Sequence, residues 1–295
     1  MSCLIGSGTV VESQRTRYPQ GAHHARRLSE IPDFLRGRVS STADHFTTIA
    51  PSPLLILLPG LDGTGKLFAE FLKMLDPGIG TIIVSYPNEI PMNYDELETL
   101  VSAALPADRP FFLLGESFSG PLAIRIAARR PASLMGLLLC VTFASNPFPW
   151  AGVWARPLAA YLPLKSLPRW IRAPLMWGSA SPNRAPRQSE RAMAQVSAAV
   201  IRHRIAALLA VDEISSLPKI SVPALVLCAT RDRVVSEAAT RRIMRGITHA
   251  QRVDIEGPHL LLQTCAAQCA TAVLSFMREC LDQTGRRIPA RGSTD

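Results

Sequence analysis

The chain has 295 residues, 47% of them hydrophobic and 19% charged, with a formal charge of +9. Such a length buries a sizeable core, and the composition excludes an intrinsically disordered chain. The positive charge is spread as single Arg side chains and short pairs. There is no zinc-finger spacing, RNP-like run or dense Lys/Arg block, so it is read as an Arg-rich surface with no nucleic-acid partner.

The six cysteines are Cys3, Cys140, Cys228, Cys265, Cys269 and Cys280. Cys140 and Cys228 lie inside apolar, strand-like runs, where a reduced thiol packs as a small hydrophobe. Cys265 and Cys269 are four apart on a helical pattern, with no His or third Cys to complete a metal site. This usage suits a reducing compartment. A secretory signal pattern is lacking, as is any run of about 20 apolar residues. The expected location is cytoplasmic.

In chain order, residues 1–45 carry Arg15, Arg17, Arg26, Arg27, Arg36 and Arg38 with few aromatics and no clear period. They are expected to form a poorly ordered basic leader. Regular alternation then begins. Short apolar runs at Leu54–Leu58, Thr81–Ser85, Phe111–Leu114, Leu137–Val141, Ala224–Cys228 and Gln251–Ile255 read as strands, most of them buried on both faces. Helical stripes lie between them at Lys66–Leu75, Tyr94–Leu105, Phe118–Arg129, Glu237–Ile247 and Leu260–Leu281. Strand alternating with helix predicts an α/β fold with a doubly wound, mostly parallel sheet. The rhythm breaks over 146–215, a Pro-rich stretch too long for a loop, which is read as a helical cap insertion. The expected organisation is a core of 46–145 and 216–282, the cap at 146–215, and a flexible tail at 283–295.

The segment Leu113-Leu114-Gly115-Glu116-Ser117-Phe118-Ser119-Gly120 follows a strand and opens a helix. A serine there sits on a tight strand-to-helix turn that needs small neighbours, here Gly115 and Ser119. The turn lifts the hydroxyl clear of the sheet, near helix N–H groups that favour developing negative charge. A β-carbon at Ser119 is expected to crowd the turn slightly. A serine hydroxyl also needs a base. Of the six histidines, His259 in Glu256-Gly257-Pro258-His259 follows the last strand, while His249 precedes it and His203 stands among Arg residues. Carboxylates available to orient the base are Asp232, in the loop after the strand at 224–228, and Asp212 and Glu213.

With these motifs in the order Ser117, Asp232, His259, the chain resembles the α/β-hydrolase family over roughly residues 50–282. The resemblance implies Ser117 as nucleophile, His259 as base and Asp232 as the orienting acid. It also implies an oxyanion hole built from the backbone N–H groups of Leu61 and Phe118. The Gly-rich turn that supplies Leu61 nearly matches a phosphate loop through Gly60, Gly65 and Lys66. Leu67 occupies the position that needs Ser or Thr, so a nucleotide reading is set aside. No metal site or dinucleotide fingerprint is visible, and no cofactor is expected.

All four tryptophans, Trp150, Trp154, Trp170 and Trp177, fall in the cap, and no Asp or Glu occurs between Ser117 and Ser189. An aromatic, basic cap suits an apolar acyl group, an anionic carrier thioester or a lipid surface. The same tryptophans also serve as the core of the cap itself. The expected activity is hydrolysis of a carboxylic ester or thioester through an acyl-enzyme. Two readings stand beside it: an acyltransferase with the same three residues, and a non-catalytic ligand-binding protein on the same fold. The partner is a small-molecule acyl ester or thioester. Peripheral membrane contact and oligomeric state are left open.

Overall fold

Apolar runs without polar alternation need both faces covered. In the computed structural model, which describes residues 53–148 and 184–283, six strands form one parallel sheet in the order β2-β1-β3-β4-β5-β6. β1 (Leu54–Leu58), β3 (Phe111–Glu116), β4 (Leu134–Cys140) and β5 (Ala224–Ala229) make its centre. β2 (Gly80–Ile83) and β6 (Gln251–Ile255) are its edges, and Gln251, Arg252 and Asp254 of β6 are exposed.

Because successive strand residues point to opposite faces, each central strand supplies two cores. Leu54, Ile56, Phe111, Leu113, Leu137, Leu139 and Val226 lie on one face. Leu55, Leu57, Phe112, Leu114, Leu138, Leu225 and Leu227 lie on the other. α2 (Tyr94–Ala104), α3 (Gly120–Ala128) and α6 (Glu237–Gly246) cover the first face through Leu97, Leu122 and Ile243. α1 (Ala69–Met74) and α8 (Ala266–Gln283) cover the second through Phe71, Val273 and Phe276. Burying one such side chain contributes roughly 1.5–3 kcal/mol relative to leaving it in water. Helix starts follow local chemistry. Asn93 and Glu96 form a reciprocal capping box on α2, and the Ser236 side chain caps α6.

Three stretches read as single helices depart from that reading. Lys66–Phe68 and Ser117–Ser119 are 3₁₀ turns ahead of α1 and α3. The stretch Leu260–Leu281 is broken into α7 (Leu261–Thr264) and α8, with Cys265 out of helical geometry between them. There the Cys265 thiol donates to the Glu256 carbonyl at 3.4 Å. The break lets α7 turn Gln263 toward the end of β3 while α8 runs along the sheet.

Of the region read as a cap, residues 149–183, with all four tryptophans, lie outside the described residues, as do the leader and residues 284–295. The remainder contains α4 (Arg184–Ala194) and α5 (Ala198–Ala210). These helices are tied to the core by Ser197 N–H donating to the Asn88 carbonyl at 2.9 Å, and by Gln188 Nε2 donating to the Lys66 carbonyl at 3.0 Å. No helix among the described residues is long and apolar enough to cross a membrane.

The strand order reverses between β1 and β3, since the chain leaves β1 for β2 on one side and returns to β3 on the other. A crevice opens at such a reversal, outside the carboxyl ends of the strands. The turn after β1 and the turn after β3 both face it.

Candidate active site

β3 ends at Glu116, and Ser117 follows with φ +48°, a left-handed conformation costly for any residue but glycine. The surroundings hold it there. A β-carbon on Gly115 would lie 2.7 Å from the Ala123 β-carbon and 2.8 Å from the Ser119 carbonyl oxygen. A β-carbon on Gly120 would lie 1.8 Å from Thr142 Oγ1. Thr142 Oγ1 donates to the Ser117 carbonyl. In a planar trans peptide the C=O and the next N–H point in opposite directions. Thr142 therefore also aims the Phe118 N–H. The Phe118 ring stacks on Tyr94, centroids 5.0 Å apart, and Tyr94 Oη donates to the Phe118 carbonyl at 2.8 Å.

The position expected to crowd the turn does not. The Ser119 side chain points away from the nucleophile into the core, where its hydroxyl meets Tyr86 Oη at 2.6 Å and donates to the Pro59 carbonyl. The positions without room for a side chain are Gly115 and Gly120.

Ser117, His259 and Asp232, separated in sequence, lie in one chain of contacts. Ser117 Oγ is 2.9 Å from His259 Nε2, and His259 Nδ1 is 2.8 Å from Asp232 Oδ2. An ionised carboxylate only accepts, so Nδ1 carries the proton toward Asp232 and leaves Nε2 free to accept from Ser117. Asp232 Oδ1 accepts N–H bonds from Val234 at 2.7 Å and Val235 at 2.9 Å. The neighbouring Arg231 pairs with Glu256 at 3.2 Å rather than with Asp232. The Arg231 N–H bonds the Gly257 carbonyl at 3.0 Å, joining the Asp232 loop to the His259 loop. His259 is 2% exposed.

The other sequence candidates lie in different contacts. Glu213 pairs with Arg125 at 2.6 Å, and Asp212 accepts from the Ile214 N–H at 3.1 Å. His249 Nε2 meets the Val222 carbonyl at 2.9 Å, and His203 is exposed. Lys66 bonds Gln195, and Leu67 is buried where a phosphate loop needs a hydroxyl. Among the described residues no cluster of His, Cys, Asp and Glu could hold a metal ion.

The turn after β1 carries Leu61 beside the serine turn, and its flanking peptides are pinned in succession. Ser119 Oγ donates to the Pro59 carbonyl, and the Gly60 N–H donates to the Glu116 carboxylate. The Gly60 carbonyl accepts from the Gly63 N–H at 3.0 Å. That last bond fixes the peptide whose N–H belongs to Leu61.

Two groups at this turn have no role in the sequence reading. Glu116, immediately before the serine, is 3% exposed. Burial pushes its carboxyl up to about 7, against the opposing pull of a 2.8 Å bond from Gln263 Nε2. The second is Arg204 of α5, 2% exposed, whose guanidinium reaches the Leu61 and Asp62 carbonyls. Its sequence signal is a lone charge among Val200, Ile201 and Leu208 on the apolar face of a helix.

A parallel α/β sheet with a strained serine turn at its switch point has the architecture of a hydrolase fold. The chain belongs to the alpha/beta hydrolase family, whose sequence model matches residues 55–272. It is 27% identical over 265 residues to polyketide synthase ThaQ of Burkholderia thailandensis, a match covering 82% of this chain and 12% of that protein. It is 34% identical over 98 residues to phytyl ester synthase 2, chloroplastic, of Arabidopsis thaliana, covering 30% of this chain and 13% of that protein. The chain thus spans 12–13% of the length of these curated relatives. The enol-lactonase of Burkholderia xenovorans LB400 shares the fold at 20% identity, with a TM-score of 0.64 over 77% of this chain and 92% of that one.

Proposed function

We propose that this chain is a serine hydrolase that cleaves a carboxylic ester or thioester through an acyl-enzyme, with Ser117, His259 and Asp232 as its catalytic groups. The observation that carries the reading is the pair of contacts at His259: 2.9 Å from Nε2 to Ser117 Oγ and 2.8 Å from Nδ1 to Asp232 Oδ2. In this mechanism Ser117 Oγ attacks the acyl carbon and its proton passes to His259 Nε2. The carbonyl oxygen, now negative, takes the N–H groups of Leu61 and Phe118. Collapse breaks the bond to the leaving alcohol or thiol, which takes the proton from His259. A water then gives its proton to His259 and its oxygen to the acyl carbon. The acid departs and the proton returns to Ser117.

The apolar acyl group and the tryptophans Trp150, Trp154, Trp170 and Trp177 belong to this proposal as its substrate side. Transfer of the acyl group to an alcohol in place of water is the second reading, favoured by the match to phytyl ester synthase 2. A fluorophosphonate probe tests the serine directly. The expected result is a Ser117 adduct that disappears in Ser117→Ala; folded wild-type protein left unlabelled would overturn the reading. A series of p-nitrophenyl esters of rising chain length, with and without a long-chain alcohol, then separates acyl preference and acceptor.

A further inference from the structure

Arg204 is a buried guanidinium whose hydrogen bonds among the described residues all run to backbone oxygens. Nη1 donates to the Leu61 carbonyl at 3.0 Å and to the Asp62 carbonyl at 2.8 Å, and Nη2 donates to the Pro87 carbonyl at 2.9 Å. Its carbon centre lies 5.6 Å from the centroid of the Tyr86 ring, a cation–π arrangement. The turn is shaped to receive it. A β-carbon on Gly63 would lie 2.4 Å from Nη1, and Gly63 has φ +68°. A planar fork with several donors in fixed directions can hold adjacent carbonyls as a point charge cannot.

The first of these carbonyls belongs to the peptide that follows the Leu61 N–H, the amide proposed for the oxyanion. With Gly63 holding the Gly60 carbonyl and Arg204 holding the Leu61 carbonyl, the peptide planes on both sides of the Leu61 α-carbon are fixed. Arg204 comes from α5, the helix that leads from the 146–215 insertion back to the sheet, and it spans 143 residues of sequence to reach Leu61.

We propose that Arg204 is a positioning residue for the oxyanion hole, locking the Leu61–Asp62 turn so that the Leu61 N–H is aimed before substrate arrives. This inference rests on the serine-hydrolase reading and deepens it. Preorganised donors act because they need no rearrangement as charge develops, and loss of one donor typically lowers kcat about 10²–10³-fold. A donor left in place but loosened should cost less. The effect falls on kcat and not on KM, since the oxyanion exists only in the transition state and the intermediate.

The test compares wild-type protein with Arg204→Lys, which keeps the charge but offers no fork, and with Arg204→Met, which fills the space with neither. Two quantities are read: kcat and KM on a p-nitrophenyl ester, and the inhibition constant of an alkyl trifluoromethyl ketone. The ketone adds to the serine as a tetrahedral anion and so reports the hole directly. The proposal expects both variants to lose about tenfold or more in kcat with KM within threefold, and to bind the ketone correspondingly more weakly. Folded variants with kcat and ketone affinity within threefold of wild type would overturn it, as would collapse of both variants by near-UV circular dichroism, which makes Arg204 a residue of stability alone. Failure of the wild-type protein to form a Ser117 adduct with the ketone overturns the serine reading itself and this proposal with it.

Discussion

The hydroxyls of Ser119 and Tyr86 lie 2.6 Å apart beneath the serine turn, and Ser119 also bonds the Pro59 carbonyl. The commonest residue at position 119 of such a turn is glycine, yet here the extra side chain ties together the turns after β1, β2 and β3. Both hydroxyls are buried, and burial raises the Tyr86 hydroxyl above its ordinary range. Removing one partner strands the other, at about 1–3 kcal/mol. Ser119→Gly is expected to lower the unfolding free energy by that amount. In a double-mutant cycle with Tyr86→Phe, the pair should lose clearly less than the sum of the single changes. Additive losses in urea unfolding would mean that the contact contributes nothing.

Ser117 sits at φ +48°, and that strain separates stability from activity. Ser117→Ala removes the hydroxyl but keeps the β-carbon and the strain; Ser117→Gly removes both. The glycine variant is expected to be more stable than the alanine variant by about 1 kcal/mol. Both should be inactive toward esters. Thermal unfolding of the two proteins side by side checks the difference, and equal stability would show that the turn carries no strain.

Asp232 is held so that Oδ1 accepts from Val234 and Val235, and Oδ2 faces His259. In Asp232→Asn the two backbone N–H groups retain the carbonyl oxygen, and the NH₂ then faces Nδ1. A donor at that place forces the histidine into the opposite tautomer, with Nε2 protonated and unable to accept from Ser117. Activity is expected to fall about 10⁴-fold while the fold is kept. Steady-state kinetics with circular dichroism on the same preparation decides it, and a loss below tenfold would remove Asp232 from the mechanism.

Glu116 gives a pH prediction. Its carboxyl is raised from the ordinary 4.5 to about 7 by burial. Between these values the native state holds the proton more tightly than the unfolded chain. Stability from this group is therefore fully present at low pH, falls as pH rises through that window, and levels off above it. Glu116→Gln removes the titration. Its oxygen still accepts from the Gly60 N–H, and its NH₂ meets a turned Gln263 amide, whose oxygen has no partner among the described residues. The stability of Glu116→Gln relative to wild type is expected to rise by about 3 kcal/mol between pH 4.5 and 8. Urea unfolding across that range tests it, and a flat difference would place the proton elsewhere.

What the chain shows by itself is whatever local physics writes into consecutive residues. The runs Leu54–Leu58 and Ala224–Cys228 are legible as two-sided strands because no polar residue interrupts them. The serine turn is legible because strand, small residue and helix follow one another within a few positions. His259 and Asp232 are legible as loop residues after particular strands, in a family order. The break at Cys265 is not legible, because the apolar period continues across it and a bond from the Cys265 thiol to the Glu256 carbonyl accompanies it. The contacts of Arg204, Thr142, Tyr86 and Gln263 are not legible either. Gln263 meets Glu116 across 147 residues, and Arg204 meets Leu61 across 143. Periodicity determines which face a residue occupies; sheet order decides which distant residue it meets. The sequence alone therefore named the residues with chemistry to offer, and only the tertiary structure decided which buried side chains hold the turns that aim them, because those bonds join segments far apart in the sequence.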